Sequence, residues 1–266
     1  MVLSIKEKEE NGLAPHPVLT EYYQTEGERR KLIDNLFDVS AGYYDAITHM
    51  MSFGSGGWYR QQALERAGLQ PGMRVLDIGT GTGALARMAQ TKVGEAGSVV
   101  ALDPSRGMLV EAKKQGVQYA IQALGEQLPF QEGVFNIITM GYALRHVADL
   151  KPFFSECHRV LKPGGKLLLL EVTRPKGIFL NGMLKFYLKG IVPMITRLLS
   201  RCPEAQKIMR YFWDTIETCV SPETILATMQ KAGFGKTRRD VVLGIFSEYN
   251  GIKAYERTDG KREGIG

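Results

Sequence analysis

The sequence predicts an α/β fold in which helices cover a doubly wound, mostly parallel sheet. From Met73 onward, apolar strand-like runs alternate with helix-like stretches, and this alternation is typical of parallel sheets. A glycine-rich turn at Gly79-Thr80-Gly81-Thr82-Gly83 joins the first strand to the first helix of the alternation. In such sheets, ligands bind at the carboxyl ends of the strands, so we expect the functional site there.

We expect each element from its hydrophobic periodicity, with apolar residues on one face of a helix or throughout a buried strand. Two helices precede the sheet, and two strands with one helix follow it. The predicted order is helix 29–51, helix 58–67, strand 73–78, helix 83–92, strand 98–103, helix 105–115, strand 117–122, strand 135–140, helix 149–161, strand 165–172, helix 222–232 and about two strands within 236–252.

The chain divides into an arm, one domain and a tail. Residues 1–28 are polar and carry Pro15 and Pro17, so we expect a flexible arm that orders over a ligand. Residues 29–252 should form a single domain with a helical lid inserted at about 177–216, and residues 253–266 a flexible tail.

Composition excludes several classes of protein. Of the 266 residues, 44% are hydrophobic, enough for a substantial core. The cysteines at 157, 202 and 219 are widely spaced, so we expect neither a disulfide framework nor a metal site, and a cytoplasmic protein. A net charge of +6 with scattered basic residues does not indicate nucleic-acid binding, and the N-terminus lacks the apolar run of a secretory signal.

The glycine-rich turn predicts a nucleoside-bearing cofactor. Glycines allow a sharp turn and close approach of the backbone to a ligand, and the helix that follows offers unpaired amides. Asp103 ends the second strand, Val99-Val100-Ala101-Leu102, where a carboxylate can accept bonds from both ribose hydroxyls.

Two cofactor types satisfy this pattern. Gly81-x-Gly83-x-x-Ala86 also matches the variant dinucleotide fingerprint, so NAD is an alternative. However, Asp77 precedes the first glycine by two residues, where it would repel a pyrophosphate but suit the ammonium and sulfonium of S-adenosylmethionine. The stretch resembles the class I methyltransferase signature of a Rossmann-like fold, as do Gly125-Glu126-Gln127-Leu128-Pro129-Phe130 and Leu161-Lys162-Pro163-Gly164-Gly165-Lys166. The resemblance implies that cofactor contacts come from Asp77, Gly79, Thr80, Gly81, Gly83, Asp103, Met108, Gly125 and Glu126.

Two outer motifs resemble the ubiquinone/menaquinone biosynthesis C-methyltransferase family. The N-terminal motif is Phe37-Asp38-x-x-Ala41-x-x-Tyr44-Asp45-x-x-x-x-Met50-Met51-Ser52-Phe53-Gly54, which ends at Trp58 and Arg60. The C-terminal motif is Tyr211-Phe212-Trp213-Asp214-Thr215-Ile216-Glu217, followed by Pro222-Glu223-Thr224 and Ala232-Gly233-Phe234. The resemblance implies methyl transfer from S-adenosylmethionine to a ring carbon of a polyprenyl quinol, without a metal.

The chain departs from the family pattern at several positions. Thr48-His49 replaces Asn-Asp, Arg145-His146 replaces Arg-Asn, Leu124 replaces an acid or Asn, and Asn136 replaces Asp. The glycines and Asp103 remain, so cofactor binding should survive, while another lipid-like or aromatic acceptor fits equally well. The alternatives are therefore an N- or O-methyltransferase of a lipid head group or aromatic metabolite, and a non-catalytic cofactor-binding scaffold.

Ring methylation requires the acceptor hydroxyl to be deprotonated or polarised. His146 is the candidate base because histidine titrates near neutral pH, with a hydrogen-bonded turn residue as the alternative role. Arg145 could stabilise a phenolate or form a surface ion pair, and Tyr44 is a third catalytic candidate. The candidate acceptor-binding residues are Tyr44, Asp45, His49, Met140, Phe186 and Tyr187.

The segment Gly177–Arg201 is apolar on most sides, with a polar stripe at Asn181, Lys185 and Lys189. Pro193 and the lysines interrupt the run of ~20 apolar residues that a membrane span needs. We consider two roles for this segment: packing on the core or on a second subunit of a homodimer, and covering a hydrophobic substrate with shallow contact at the inner membrane face.

Overall fold

The computed structural model describes residues 12–51, 54–175, 177–195 and 203–255. The predicted N-terminal arm before residue 12, the end of the apolar segment at 196–202 and the predicted tail after residue 255 lie outside the described residues.

A seven-stranded sheet forms the centre of the molecule, with the order β3-β2-β1-β4-β5-β7-β6. The first five strands in this order are parallel, whereas β7 is antiparallel to both β5 and β6. The strands are β1 Arg74–Ile78, β2 Ser98–Asp103, β3 Tyr119–Gln122, β4 Phe135–Gly141, β5 Leu161–Val172, β6 Phe234–Val242 and β7 Phe246–Lys253. The predicted α/β class is confirmed.

The helices agree with the predicted order, with shifted ends. The helices are α1 Glu26–Met51, α2 Gly56–Arg66, α3 Ala84–Val93, α4 Arg106–Lys114, α5 Leu150–Val160, α6 Ile178–Phe186, α7 Pro203–Thr218 and α8 Pro222–Lys231. A 3₁₀ turn at Leu144–His146 follows β4, and a π-helical stretch at Tyr187–Ile191 continues α6. Side chains of Ser105, Asp149 and Ser221 cap the amino ends of α4, α5 and α8, because each accepts a bond from an otherwise unpaired amide.

Apolar side chains on both faces of the sheet form two core clusters. A third cluster lies above the carboxyl edge and joins α1, residues 178–195 and α7, which we call the helical cover. Its buried members are Tyr23, Ile33, Leu36, Leu188, Val192, Tyr211, Phe212, Trp213 and Ile216. The polar stripe of α6 faces α7, since Lys185 and Lys189 pair with Glu217 and Asp214 at 2.9 and 2.6 Å. The helical cover therefore lies over the carboxyl edge of the sheet, at the point between β1 and β4 where the strand order reverses.

The prediction of a flexible arm over residues 1–28 is wrong for its described part. The backbone amide of Leu13 donates to the Asp149 carboxylate at 3.0 Å, and the Val220 amide donates to the Pro15 carbonyl at 2.8 Å. His16 and Tyr23 are each 4% exposed, and α1 begins at Glu26. Burial of these side chains holds residues 12–25 against the body.

Candidate active site

The glycine-rich turn lies above a buried carboxylate. Gly79, Gly81 and Gly83 all have positive φ angles of 61°, 55° and 82°, a conformation that side chains disfavour. Asp77 is 1% exposed, and its oxygens accept hydrogen bonds from the Thr80 and Thr139 hydroxyls at 2.6 Å each. Burial raises its pKa to about 6. Asp77 thus holds the turn and supplies negative charge beneath it, while direct contact with a ligand stays a prediction.

Asp103 lies at the carboxyl end of β2, beside the same turn. Its oxygens accept bonds from the amides of Gly81 at 2.8 Å and Ser105 at 2.9 Å. Burial raises the pKa of Asp103 to about 6. The side chain lines a cavity of about 390 Å³, the larger of two at this edge of the sheet. A carboxylate in this position can accept further bonds from a diol.

One wall of the larger cavity comes from the loop after β3. Leu124, Gly125 and Glu126 line it, together with Pro104 from the loop after β2. Glu126 accepts a hydrogen bond from the backbone amide of Ala148. Met108 is 1% exposed and is not among the residues that line this cavity, so its contact with the ligand stays a prediction that this geometry does not support.

A second cavity of about 130 Å³ lies between the glycine turn and the helical cover. Its apolar walls come from segments far apart in the chain, namely Leu85, Val172, Leu184, Leu188, Phe212, Ile216, Ile245 and Phe246. The predicted acceptor residues Phe186 and Tyr187 do not line this cavity, and Phe186 is 69% exposed, so their contacts with the acceptor stay predictions. The periodicity of the helix instead turns Leu184 and Leu188 inward.

The N-terminal signature contributes through α1. Tyr44 lines both cavities, and burial raises its pKa to about 12. Asp45 lines the smaller cavity, but its oxygens accept bonds from Thr82 and from Gln115, the latter at 2.5 Å, so it anchors α1 to the glycine turn. His49 is exposed and lines neither cavity, so its acceptor contact stays a prediction that this geometry does not support.

Arg145 forms a buried ion pair with Glu171, with side-chain exposures of 4% and 6%. Its Nε also donates to the Thr215 hydroxyl at 3.3 Å, and the residue lines the smaller cavity. The alternative of a surface ion pair is therefore wrong. Because Glu171 neutralises the guanidinium, Arg145 contributes oriented donors to the cavity wall more than net charge.

His146 lines the larger cavity beside Met140. Its ring is stacked on Tyr211 at 5.8 Å between centroids and contacts Phe37 edge-on at 5.2 Å. Neither ring nitrogen has a hydrogen-bond partner among the described residues, which contradicts the alternative of a hydrogen-bonded turn residue. Burial keeps the pKa of His146 well below its ordinary value, so the imidazole is neutral and can accept a proton.

Sequence reasoning missed Tyr142 and Arg60 as site residues. Tyr142 has a φ of +64°, an unfavourable conformation for a tyrosine that is typical of functional sites. Burial raises its pKa to about 12. The Arg60 guanidinium lies 5.3 Å from the Tyr142 ring centroid and lines the smaller cavity. No local pattern signals a positive φ at a tyrosine, although Arg60 stands within the recognised N-terminal motif.

The two cavities share one boundary. Five residues line both: Tyr44, Gly79, Gly81, Gly141 and Tyr142. A Cβ at Gly81 would lie 3.8 Å from the Tyr44 ring, so a side chain there would narrow the opening. A ligand in the larger cavity therefore meets a ligand in the smaller one at the glycine turn.

Residues 24–253 match the model of the ubiE/COQ5 methyltransferase family. The chain belongs to this family. It is 33% identical over 229 residues to the ubiquinone/menaquinone biosynthesis C-methyltransferase UbiE of Edwardsiella ictaluri, covering 83% of this chain and 90% of that protein. It is 30% identical over 235 residues to the protein of the same name from Idiomarina loihiensis, covering 85% and 92%.

Solved structures support the fold of this ubiE/COQ5 family member. A Thermotoga maritima S-adenosylmethionine-dependent methyltransferase, described as a possible histamine N-methyltransferase, superposes with a TM-score of 0.58 at 21% identity over 82% of this chain and 98% of that one. The [4+2]-cyclase SpnF superposes with a TM-score of 0.60 at 14% identity, covering 91% and 99%. The predicted methyltransferase fold is confirmed.

The ubiE/COQ5 chain is a methyltransferase, and its cofactor is S-adenosylmethionine. The larger cavity fits this molecule in its chemistry. Asp103 offers carboxylate oxygens to ribose hydroxyls, and Leu124 and Gly125 offer an apolar surface to adenine. Asp77, which lines the adjoining smaller cavity, places negative charge near a cationic donor. The individual contacts of these residues remain predictions.

Proposed function

We propose that this chain methylates a ring carbon of a polyprenyl quinol or a similar hydrophobic aromatic acceptor. The observation that carries the proposal is the apolar cavity that opens onto the cofactor cleft at Tyr44, Gly79, Gly81, Gly141 and Tyr142. The names of the UbiE relatives support a quinone-type acceptor. Apolar side chains form much of the wall, and three of the four charged residues that line it, Asp45, Asp77 and Arg145, are engaged within the protein. Such a cavity favours an apolar acceptor over a charged head group.

When bound, S-adenosylmethionine supplies an electrophilic methyl group. The chain's own residues position and activate the acceptor, which accounts for most of the expected acceleration. We assign His146 as the base that removes the proton of the acceptor hydroxyl. Two observations support this role. Its ring nitrogens have no hydrogen-bond partner among the described residues, and its ring centroid lies 5.8 Å from that of Phe212, which lines the acceptor cavity.

Tyr44 and Arg145 act as donors to the acceptor oxygen in this proposal. Tyr44 stands at the boundary of the cavities and stays protonated because its pKa is raised to about 12. Arg145 is held by Glu171 and Thr215, so its remaining donors keep a fixed direction. A hydrogen bond from either group would stabilise a developing phenolate.

The test of the base is His146→Ala. We expect kcat to fall by about 10²–10⁴-fold because general-base assistance is lost, while the affinity for S-adenosylhomocysteine stays within about twofold. His49→Ala is the matched control, since His49 is exposed and lies outside both cavities. Unchanged turnover in His146→Ala would remove this residue from the mechanism.

The acceptor is identified by incubating the enzyme with methyl-labelled S-adenosylmethionine and a chemically reduced lipid extract. The proposal expects a product with the label on a ring carbon, located by mass spectrometry and NMR. A label on nitrogen or oxygen would overturn ring methylation in favour of a head-group or O-methyltransferase. Cofactor binding without transfer to any component would favour a scaffold.

We also propose that the protein is cytoplasmic and that α6 contacts the inner face of the membrane. A hydrophobic acceptor would then enter the cavity from the bilayer. The stretch Ile178–Ile195 has the length and mean hydropathy of 1.3 that a membrane span requires, and only 17% of it is buried. Ile178, Phe179 and Phe186 are 93%, 81% and 69% exposed, while Leu184 and Leu188 on the inner side line the acceptor cavity. Buried Leu188 and Val192 support surface contact over spanning.

Vesicle sedimentation tests this contact. Phe179→Asp with Phe186→Asp should reduce binding to phospholipid vesicles, because burial of aromatic surface in the bilayer is lost. Val110→Asp is the control, since Val110 is 45% exposed on α4. Equal sedimentation of the two variants would overturn the lipid contact without affecting the proposed reaction.

A further inference from the structure

Four charged side chains line the smaller cavity, and three of them are engaged within the protein. Asp45 accepts bonds from Thr82 and Gln115. Asp77 accepts bonds from Thr80 and Thr139, and Arg145 pairs with Glu171. The fourth is Arg60.

Arg60 has no carboxylate within ion-pair distance and no hydrogen-bond acceptor among the residues that the structure describes. It is half-buried in a cavity whose other walls are mostly apolar. A guanidinium in such surroundings loses hydration without gaining a partner, which is costly unless a ligand supplies an anion.

The position of Arg60 is fixed by two aromatic contacts. The neighbouring Tyr59 ring is stacked on Phe246 at 4.6 Å and anchors α2 to β7. The Arg60 guanidinium lies over the ring of Tyr142 at 5.3 Å. This contact leaves the in-plane N–H donors of Arg60 available, since a cation–π interaction uses only the face of the group.

Tyr142 lines both cavities, so Arg60 stands beside their boundary and not at the far end of the acceptor cavity. Burial raises the pKa of Asp77, and the charge of Arg60 opposes this rise although the two side chains are not bonded. A cation and a buried carboxylate thus face one space, with the backbone of Gly79, Thr80 and Gly81 between them. This pair of opposite charges matches a zwitterion.

We propose that Arg60 binds the carboxylate of the amino-acid tail of the methyl donor. This inference rests on the proposed function, because it assigns one further contact to the same cofactor. The tail of S-adenosylmethionine carries one ammonium and one carboxylate, and Asp77 supplies the negative charge that suits the ammonium. An anionic group on the acceptor is the competing ligand for Arg60, and the experiment separates the two.

The test compares two ligands that differ in the tail. S-adenosylhomocysteine carries the carboxylate, whereas 5′-methylthioadenosine lacks the amino-acid tail. Calorimetry should show that Arg60→Met weakens S-adenosylhomocysteine binding by about 10- to 100-fold, since a charge-assisted bond is lost. Binding of 5′-methylthioadenosine should stay within about twofold of wild type, which also shows that the variant is folded.

Two further variants act as controls. Arg60→Lys keeps the charge but not the planar fork of donors, so its affinity for S-adenosylhomocysteine should lie between those of wild type and Arg60→Met. Arg106→Met removes a positive charge from exposed surface on α4 and should bind both ligands as wild type does.

Equal binding of S-adenosylhomocysteine by wild type and Arg60→Met would overturn the inference. A raised KM for the acceptor with unchanged donor affinity would overturn it too, and would assign Arg60 to an acidic acceptor. If Arg60→Met binds S-adenosylhomocysteine and 5′-methylthioadenosine equally weakly, Arg60 has a structural role and the inference is overturned. A wild-type chain that binds neither ligand would instead overturn the proposed cofactor, so the two failures are distinguishable.

Discussion

The cofactor cleft and the acceptor cavity meet at Gly79, Gly81 and Tyr142, but they are built in different ways. The cleft takes its polar groups from backbone turns at the ends of consecutive strands, centred on Asp103 and the turn above Asp77. The acceptor cavity is enclosed by side chains from α1, α2, β5, residues 178–195, α7 and β7. A site made of one local turn can be recognised from its motif, whereas a site made of distant apolar side chains depends on packing.

We expect the largest change in stability on the acceptor side, at Glu171, because this residue holds Arg145 in the wall of the acceptor cavity. Glu171→Gln leaves the buried Arg145 guanidinium without its counter-charge, which should lower the free energy of unfolding by about 3–5 kcal/mol. Urea denaturation measures this. Lys114→Gln breaks a pair that is 64% exposed at the lysine and should cost less than about 1 kcal/mol. Similar values for the two variants would contradict a structural role for the buried pair.

The next effect concerns the backbone of the cofactor cleft. In Gly79→Ala, a Cβ is placed at a φ of +61° and 2.5 Å from the Cβ of Ala143, so we expect the free energy of unfolding to fall by about 2–4 kcal/mol. Gly72→Ala is the matched control, because Gly72 also has a positive φ but open space around it. If the two variants lose the same free energy of unfolding, the close approach of Gly79 to Ala143 does not account for the loss in Gly79→Ala.

Asp103→Asn tests the cleft without changing its shape. We expect S-adenosylhomocysteine to bind about 1–3 kcal/mol more weakly in calorimetry, since the ribose hydroxyls lose a charged acceptor. The pKa of Asp103 is raised to about 6 in the folded chain, so its ionisation lowers the free energy of unfolding as the pH rises from about 4, the ordinary value of an aspartate, to about 6. In the ligand-free variant, the amide of Gly81 or of Ser105 loses its acceptor, so we expect the free energy of unfolding to fall by about 1–3 kcal/mol. Unchanged affinity for S-adenosylhomocysteine would contradict the ribose assignment.

The smallest effect is the pH dependence of cofactor affinity. As the pH falls from about 7.5 to about 5, Asp103 becomes protonated near its pKa of about 6, and we expect the wild-type affinity for S-adenosylhomocysteine to fall by about three- to tenfold. Asp103→Asn should show a smaller dependence. Because Asp77 also has a pKa of about 6, an identical pH profile in the variant would assign the titration to Asp77.

The acceptor side shows where sequence reasoning fails. The sequence predicts acceptor contacts for Phe186 and Tyr187, but a helix that is apolar on most sides does not reveal which of its faces turns inward. The structure turns Leu184 and Leu188 inward because Lys185 and Lys189 pair with Glu217 and Asp214 of α7. The resemblance likewise implies a cofactor contact for Met108, whereas packing of α4 buries this side chain.

The amino-acid sequence by itself determined the order of strands and helices along the chain, the glycine turn with Asp77 and Asp103, and the methyltransferase family, because these depend on short-range periodicity and on backbone conformations that few residues allow. Only the tertiary structure decided that Arg145 is paired with Glu171, that Tyr142 adopts a positive φ beneath Arg60, and that His146 has no hydrogen-bond partner in the described part of the chain. Each of these depends on which side chains become neighbours when distant segments pack together, and the free energy of that packing is not contained in any local pattern.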